Sequence, residues 1–233
     1  KILHVLHSLQ IAGAESLVVN ILKNIDRSLF DIRLCVLYPS YNTKLDRELI
    51  KERIPVYYLG KHKGLDLRMI CRVNWLLTKF KPDIIHTHMY IMRYPLIPTL
   101  LNRIPIKVHT LHTLAQREVG FVGKIIHWVA FNLFKVIPVS VSGSVAESVM
   151  KVYGVSSPII YNGISVDHFK NIKISTMKKK SETIFINISG FRPVKNHRLL
   201  INAFSKAAKI KNDIKLFLVG DGPLRSEIEK LVK

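Results

Sequence analysis

The chain opens "KILHVLHSLQIAGAESLVVNILKNI" (residues 1–25), and the order of patterns in that stretch decides the fold. "KILHVLHS" (1–8) is a short apolar run of strand character, and "SLQIAGAES" (8–16) is a turn around Gly13. "AESLVVNILKNI" (14–25) then places apolar residues three and four apart, the mark of a helix that buries one face. A strand that hands over to a helix through a short turn is the repeating unit of an α/β protein.

Working outward, the same alternation recurs. "DIRLCVLY" (31–38), "IPVYYL" (54–59), "PDIIHTH" (82–88), "IKVHTL" (106–111) and "KVIPVSVS" (135–142) read as strands. Helix-length segments such as "LDLRMICRVNWLLTKF" (65–80) lie between them. Strands alternating with helices call for a parallel sheet covered on both faces, the doubly wound arrangement. From Ser156 to Glu182 the pattern breaks into a turn-like stretch and a polar, basic one. It restarts with "TIFINIS" (183–189) as strand, "NHRLLINAFSKAAKI" (196–210) as helix, "IKLFLVG" (214–220) as strand and "PLRSEIEKLVK" (223–233) as helix. Two strands and two helices cannot bury both faces of a sheet. The expected division is therefore a complete doubly wound domain over 1–165, a linker over 166–182 and an incomplete second domain over 183–233.

Composition narrows the classes. With 233 residues and 48% apolar content the chain has a sizeable core, which excludes disorder. Lys and Arg number 36 against 16 Asp and Glu, a net charge of +20, which draws the chain toward a phosphorylated substrate, an anionic membrane or nucleic acid. Cys35 and Cys71 read as two buried thiols in a reducing compartment. "IIHWVAFNLFKVIPVSV" (125–141), the most apolar long stretch, contains Lys135 and Pro138 and falls short of a spanning helix. Lys1 leads straight into strand pattern without the regions of a signal peptide, and the reading expects residues to have preceded it.

Several turns carry candidate chemistry. At Gly13 a strand meets a helix whose first N–H groups are unpaired, a place for phosphate or a substrate hydroxyl, or an ordinary turn. His86 and His88 share one strand face, and His109 and His112 belong to the next strand. Either they are zinc ligands, with no cysteine near and no carboxylate beyond Asp83, or they are satisfied polar residues at a cleft rim; the balance favours the second. His88 and His112 sit where ligands bind in open parallel sheets, at the carboxyl ends of strands. In "SGFRPVKNH" (189–197) Pro193 fixes the turn, Asn196 caps the next helix, and Arg192 and Lys195 either flank a helix start suited to a diphosphate or are solvated surface charge. "LVGDGPLR" (218–225) repeats the pattern with Gly220, Gly222 and Pro223.

In this order "IAGAE", "PDIIHTH", "HTLH", "VSGSVAESV", "YNGISVDHF", "GFRPVKNHRLLINAF" and "LVGDGPLR" resemble the family-4 glycosyltransferases, over nearly the whole chain. The resemblance implies the GT-B fold of two Rossmann-like domains, with the second only partly present. It implies retaining transfer of a sugar from a nucleotide-diphosphate donor such as a UDP- or GDP-sugar, without a metal ion or other cofactor. By the same resemblance Lys195 neutralises the departing diphosphate, Gly13 lies near the donor phosphates, and His112 contacts the donor sugar. Gly220, Gly222 and Pro223 lie beneath the nucleotide. Ala12 replaces a usual glycine, and Gly190 stands where the family has an arginine, whose place Arg192 would have to take. The family's E-x7-E motif is not in the sequence.

The expected acceptor is a glycan or lipid-linked glycan of surface polysaccharide synthesis. The expected setting is cytoplasmic and peripheral to the inner face of the membrane, where "KHKGLDLRMICRVNWLLTKFK" (61–81) and "VGKIIHWVAFNLFK" (122–135) either meet anionic headgroups or are core-packing helices with solvated lysines. A second reading is a catalytically incomplete acceptor- or membrane-binding module that needs a partner chain. Nucleic-acid binding rests on charge alone, with no accompanying motif.

Overall fold

The structure is a computed structural model that describes residues 1–164, Val166 and 183–232. It divides into two compact units, Lys1–Lys170 and Asn171–Lys233. Apart from Val166, the expected linker lies outside the described residues.

The first unit has six strands: β1 (Ile2–Leu6), β2 (Ile32–Val36), β3 (Val56–Tyr58), β4 (Ile84–His88), β5 (Ile106–Leu111) and β6 (Ile137–Ser140). All pair in parallel, in the order β3-β2-β1-β4-β5-β6. This is the doubly wound order, which reverses direction between β1 and β4 and opens a crevice at the strands' carboxyl ends. Among the described residues seven α-helices accompany the strands: α1 (Gly13–Asn24), α2 (Lys44–Lys51), α3 (Arg68–Phe80), α4 (Leu96–Leu101), α5 (Ala115–Glu118), α6 (Phe121–Asn132) and α7 (Gly143–Tyr153).

Alternation along the strands explains the layers. Leu3, Val5, Cys35 and Ile85 pack on Val73, Leu76, Leu77 and Phe80 of α3. Leu6, Leu34 and Val36 face the other way, onto Val18, Val19 and Leu22 of α1 and Leu45 and Leu49 of α2. A third cluster joins Leu111 to Ala130 and Phe131 of α6 and to Val145, Val149 and Tyr153 of α7. Ends are set locally: Thr43 and Asp46 form a capping box on α2, while Lys81 (φ 52°) and Gly154 (φ 72°) end α3 and α7 in left-handed conformation. Of the two thiols only Cys35 is buried. Cys71, expected inside, is exposed on α3, because the helix buries Met69, Val73, Leu76 and Leu77.

The second unit contains β7 (Thr183–Ile188) paired in parallel with β8 (Ile214–Val219), with α8 (His197–Ile210) and α9 (Arg225–Leu231). Its buried cluster is Phe191, Ile201 and Ile228, with Leu218, Leu224 and Leu231 partly buried against it. Ile186 and Ile188 are 61% and 78% exposed, so one face of the sheet is largely uncovered, while Phe185 and Leu218 on the other face pack toward the helices. A hollow of about 660 Å³ lies between β8, α8 and α9, lined by Phe204, Leu216 and Leu218 among others.

Candidate functional site

In the first unit the side chains with chemistry gather at the carboxyl ends of the strands. His7 follows β1, and its Nδ1 lies 3.0 Å from the Tyr90 hydroxyl beyond β4. Tyr38, after β2, packs its ring 4.5 Å from His7. Lys61, after β3, is buried and donates to the carbonyls of His62 and Gly64 at 2.8 and 2.5 Å. Its ammonium also stands 4.9 Å from the centre of the Tyr38 ring, a cation–π contact. Burial, with the Lys61 charge second, lowers the His7 pKa to about 4.

Gly13 begins α1 at the end of the β1 turn, and its N-cap Ala12 supplies no side-chain acceptor, so the first N–H groups of the helix stay open. A Cβ at Gly13 would meet nothing within 4 Å. Glu15, in the first turn of the helix, is buried with Oε2 unpartnered, and burial raises its carboxyl pKa.

His112 directly follows β5 and ends a chain of three imidazoles. His4 Nδ1 lies 3.0 Å from His88 Nε2, and His88 Nδ1 lies 3.2 Å from His112 Nε2. The register explains the grouping: His4 pairs with His86 and His88 with Thr110, so these residues share one face of the sheet. Burial holds His4 and His112 near 4 and lowers His88 well below the ordinary imidazole value, so all three rings are neutral at pH 7. In a neutral chain each contact takes one proton. His112 therefore offers Nδ1, which has no partner among the described residues, either as a donor or as an acceptor according to the direction of the chain.

The four histidines of the zinc reading do not come together. His86, His88 and His112 are on the His4 face; His109 points to the opposite one. There it lies beside Glu118 of α5, Nε2 to Oε1 4.0 Å, a carboxylate that the sequence reading did not identify. His4, too, was missed: strand alternation is visible in sequence, but the register that sets β1 beside β4 is not.

In the second unit Pro193–Lys195 form one 3₁₀ turn and Asn196, left-handed at φ 49°, caps α8 by accepting from the Leu199 N–H at 3.4 Å. Arg192 and Lys195 are exposed, and neither side chain has a protein partner among the described residues. The turn 189–192 is joined to Gly220–Pro223: Phe191 N–H donates to Asp221 O at 2.9 Å, and Leu224 N–H donates to Phe191 O at 3.1 Å. A Cβ at Gly220 would fall 2.0 Å from Ser189 O, and one at Gly222 would fall 2.6 Å from Phe191 O. Glycine is required there because two backbones touch. Gly190 is under no such demand: its nearest neighbour would be Asp221 O at 3.7 Å, and Arg192 Nε passes 3.9 Å from the same point. Thus Arg192, Lys195, Gly220, Gly222 and Pro223 belong to one paired-turn platform, and Gly13 and His112 to the strand ends of the other unit.

The profile of Glycosyl transferases group 1 matches residues 168–233. An uncharacterized glycosyltransferase of Methanocaldococcus jannaschii is 24% identical over 82% of this chain and 53% of its own length. A Campylobacter jejuni enzyme, the N-acetylgalactosamine-N,N'-diacetylbacillosaminyl-diphospho-undecaprenol 4-alpha-N-acetylgalactosaminyltransferase, is 32% identical over 32% of the chain and 20% of its own length. Among solved structures, Anabaena HepE in complex with UDP and glucose has a TM-score of 0.75 at 19% identity, covering 99% of this chain and 64% of that one. The chain thus spans about half the length of its longer-matched curated relative. The neighbours have the GT-B fold, of which this chain holds the first domain and part of the second. The profile of Glycosyltransferase Family 4 matches residues 11–168, more than half of the sequence, and the chain belongs to that family.

Proposed function

We propose that this polypeptide is the acceptor-side domain and the beginning of the donor-side domain of a retaining glycosyltransferase. The enzyme moves a sugar from a UDP- or GDP-sugar to a glycan or lipid-linked acceptor, at the inner face of the cell membrane. The observation that carries the reading is the pair of exposed cations, Arg192 and Lys195, on the paired-turn platform before α8. A leaving diphosphate there meets a positive helix end and a fixed ammonium; the gain grows as charge develops on the phosphate, which is transition-state stabilisation. Arg192 takes the place of the arginine that the family has at position 190, its side chain running past the vacant Cβ position of Gly190. His112 is neutral and presents Nδ1 to a sugar hydroxyl. HepE binding UDP and glucose and the Campylobacter enzyme acting on a diphospho-undecaprenol glycan support donor and acceptor classes of this kind.

On the acceptor side, α6 buries Gly123, His127, Ala130 and Phe131 and exposes Phe121, Val122, Ile125 and Trp128, with Lys124 and Lys135 beside them. An apolar face flanked by lysines suits an anionic bilayer and a lipid-linked acceptor. Among the described residues no helix is long and apolar enough to cross a membrane.

Calorimetric titration of the chain with UDP, GDP and their sugar conjugates tests the donor site. Binding that Lys195→Ala weakens tenfold or more supports it, whereas binding untouched by the substitution rejects it. No binding by a folded chain favours the second reading, an acceptor- or membrane-binding module that needs a partner chain; the one uncovered face of β7 and β8 speaks for that alternative.

A further inference from the structure

Histidines occupy both faces of the six-stranded sheet, and the two groups differ in what their nitrogens do. On the His88 face the rings satisfy one another. On the other face His109 of β5, Glu118 of α5 and His127 of α6 place one ring nitrogen each and one carboxylate oxygen within 4.8 Å of one another. The three residues are 0%, 9% and 1% exposed.

Their hydrogen bonding leaves this pocket unsatisfied. His109 Nδ1 lies 2.8 Å from Thr87 Oγ1, and the Thr87 hydroxyl has the Val108 carbonyl 3.2 Å away as its own acceptor. The proton of His109 therefore resides on Nδ1, and Nε2 is a bare lone pair. His127 Nδ1 lies 3.3 Å from the Tyr153 hydroxyl, which leaves its Nε2 for another partner. Facing them, both carboxylate oxygens of Glu118 are buried without a hydrogen bond, and so is His109 Nε2. A fold seldom leaves three such polar atoms orphaned side by side; burial raises the Glu118 carboxyl pKa to about 8, and a bound cation would hold it ionised.

The geometry points to a buried site for a divalent transition metal, zinc fitting best, with His109, His127 and Glu118 as its ligands. Two imidazoles and a carboxylate are a zinc donor set, with bonds of about 2.0–2.2 Å that put neighbouring ligand atoms roughly 3.3 Å apart. The three ligand atoms lie within 4.8 Å of one another, with His109 and Glu118 at 4.0 Å, so side-chain shifts of roughly 1–1.5 Å bring them to that spacing. Hydroxyls on both Nδ1 atoms are the outer partners that fix which nitrogen binds. Arg93, whose charge reaches His127, works against a cation here, and the carboxylate offsets it.

The position gives the ion a structural task apart from donor chemistry. His109 and Glu118 lie on either side of the loop 112–114 that begins with His112, and His127 ties α6 to the same point. A bound ion would staple strand, loop and helix together.

Titration of the whole chain, expressed without a histidine tag, with Co²⁺ tests this through the visible absorption of the bound ion and through the melting temperature. One equivalent should bind with a four-coordinate spectrum and raise Tm. Glu118→Gln, whose side chain loses no protein hydrogen bond, should weaken binding at least tenfold while keeping the circular dichroism spectrum; His86→Ala should bind as before. Absence of binding, binding undiminished in Glu118→Gln, or binding lost in His86→Ala would overturn the assignment. If Glu118→Gln does not fold, X-ray absorption at the cobalt edge decides: two imidazoles and a carboxylate support the site, and three imidazoles refute it.

Discussion

Gly222 and Gly190 stand three and two residues from the ends of their respective strands, yet the backbone treats them differently. At Gly222 (φ 154°) a methyl would strike the Phe191 carbonyl at 2.6 Å, while at Gly190 it would enter ordinary contact. Gly222→Ala should destabilise the second unit by about 2–5 kcal/mol, strain and overpacking together, and Gly190→Ala should stay within about 0.5 kcal/mol. Hydrogen exchange of the β7 and β8 amides reads both. The sequence made these turns visible, and by resemblance Gly220 and Gly222 belong to a turn beneath the nucleotide. That Gly220 and Gly222 serve backbone packing depends on the contact between two turns about thirty residues apart, which no local pattern contains. At the same scale His4 sets an acid limit. It takes up a proton in the unfolded chain at about pH 6.5, and burial holds it near 4 in the fold. Its contribution is complete above pH 6.5 and is lost as pH falls to about 4, on the order of 3 kcal/mol for this ring. Denaturant midpoints measured from pH 7 to 4 should fall over that range, and a constant midpoint would contradict the burial of His4.

Among elements, those with a strong period were legible and the short ones were not. β5 occupies Ile106–Leu111, the span its apolar run marks out, and α1 and α8 fall within a residue of their patterns. Helix α2 went unremarked because its eight residues are mostly charged, and it is held by its start rather than by its surface. The Thr43 side chain accepts from the Asp46 N–H, and Asp46 accepts in return from the Thr43 N–H at 2.7 Å. Tyr58 and Ser40 also donate to Asp46, at 2.5 and 2.8 Å. Thr43→Ala should cost about 1 kcal/mol, measured by chemical denaturation. Burial works to raise the Asp46 pKa, but these hydrogen bonds outweigh it and leave the carboxyl below its ordinary value. Its support is therefore present above pH 4 and fades only in stronger acid, distinct from the histidine loss at milder pH.

At the scale of the whole molecule the two units differ in how much of themselves they bury. The first closes a six-stranded sheet between helices, and the second has two strands with an isoleucine 78% exposed. Limited proteolysis should trim the second unit while a fragment corresponding to the first persists; equal resistance of the two would contradict the burial pattern. The division into a finished and an unfinished domain was readable from the count of strands, because two strands and two helices do not suffice to cover a sheet. Which side chains that leaves bare was not, since it depends on pairing. Among the described residues β7 and β8 have only each other, so each presents a free edge six residues long, "TIFINI" and "IKLFLV". Such edges recruit further strands, and identical chains are the nearest source. What opposes that stacking is the excess of +20 charges, a repulsion that ions of the medium shorten to about 10 Å at 0.1 M salt. Colloidal behaviour is therefore set against the usual intuition: light scattering should show the chain dispersed in dilute buffer and self-associating as salt is added, with its solubility held by charge where its second sheet leaves apolar edges open.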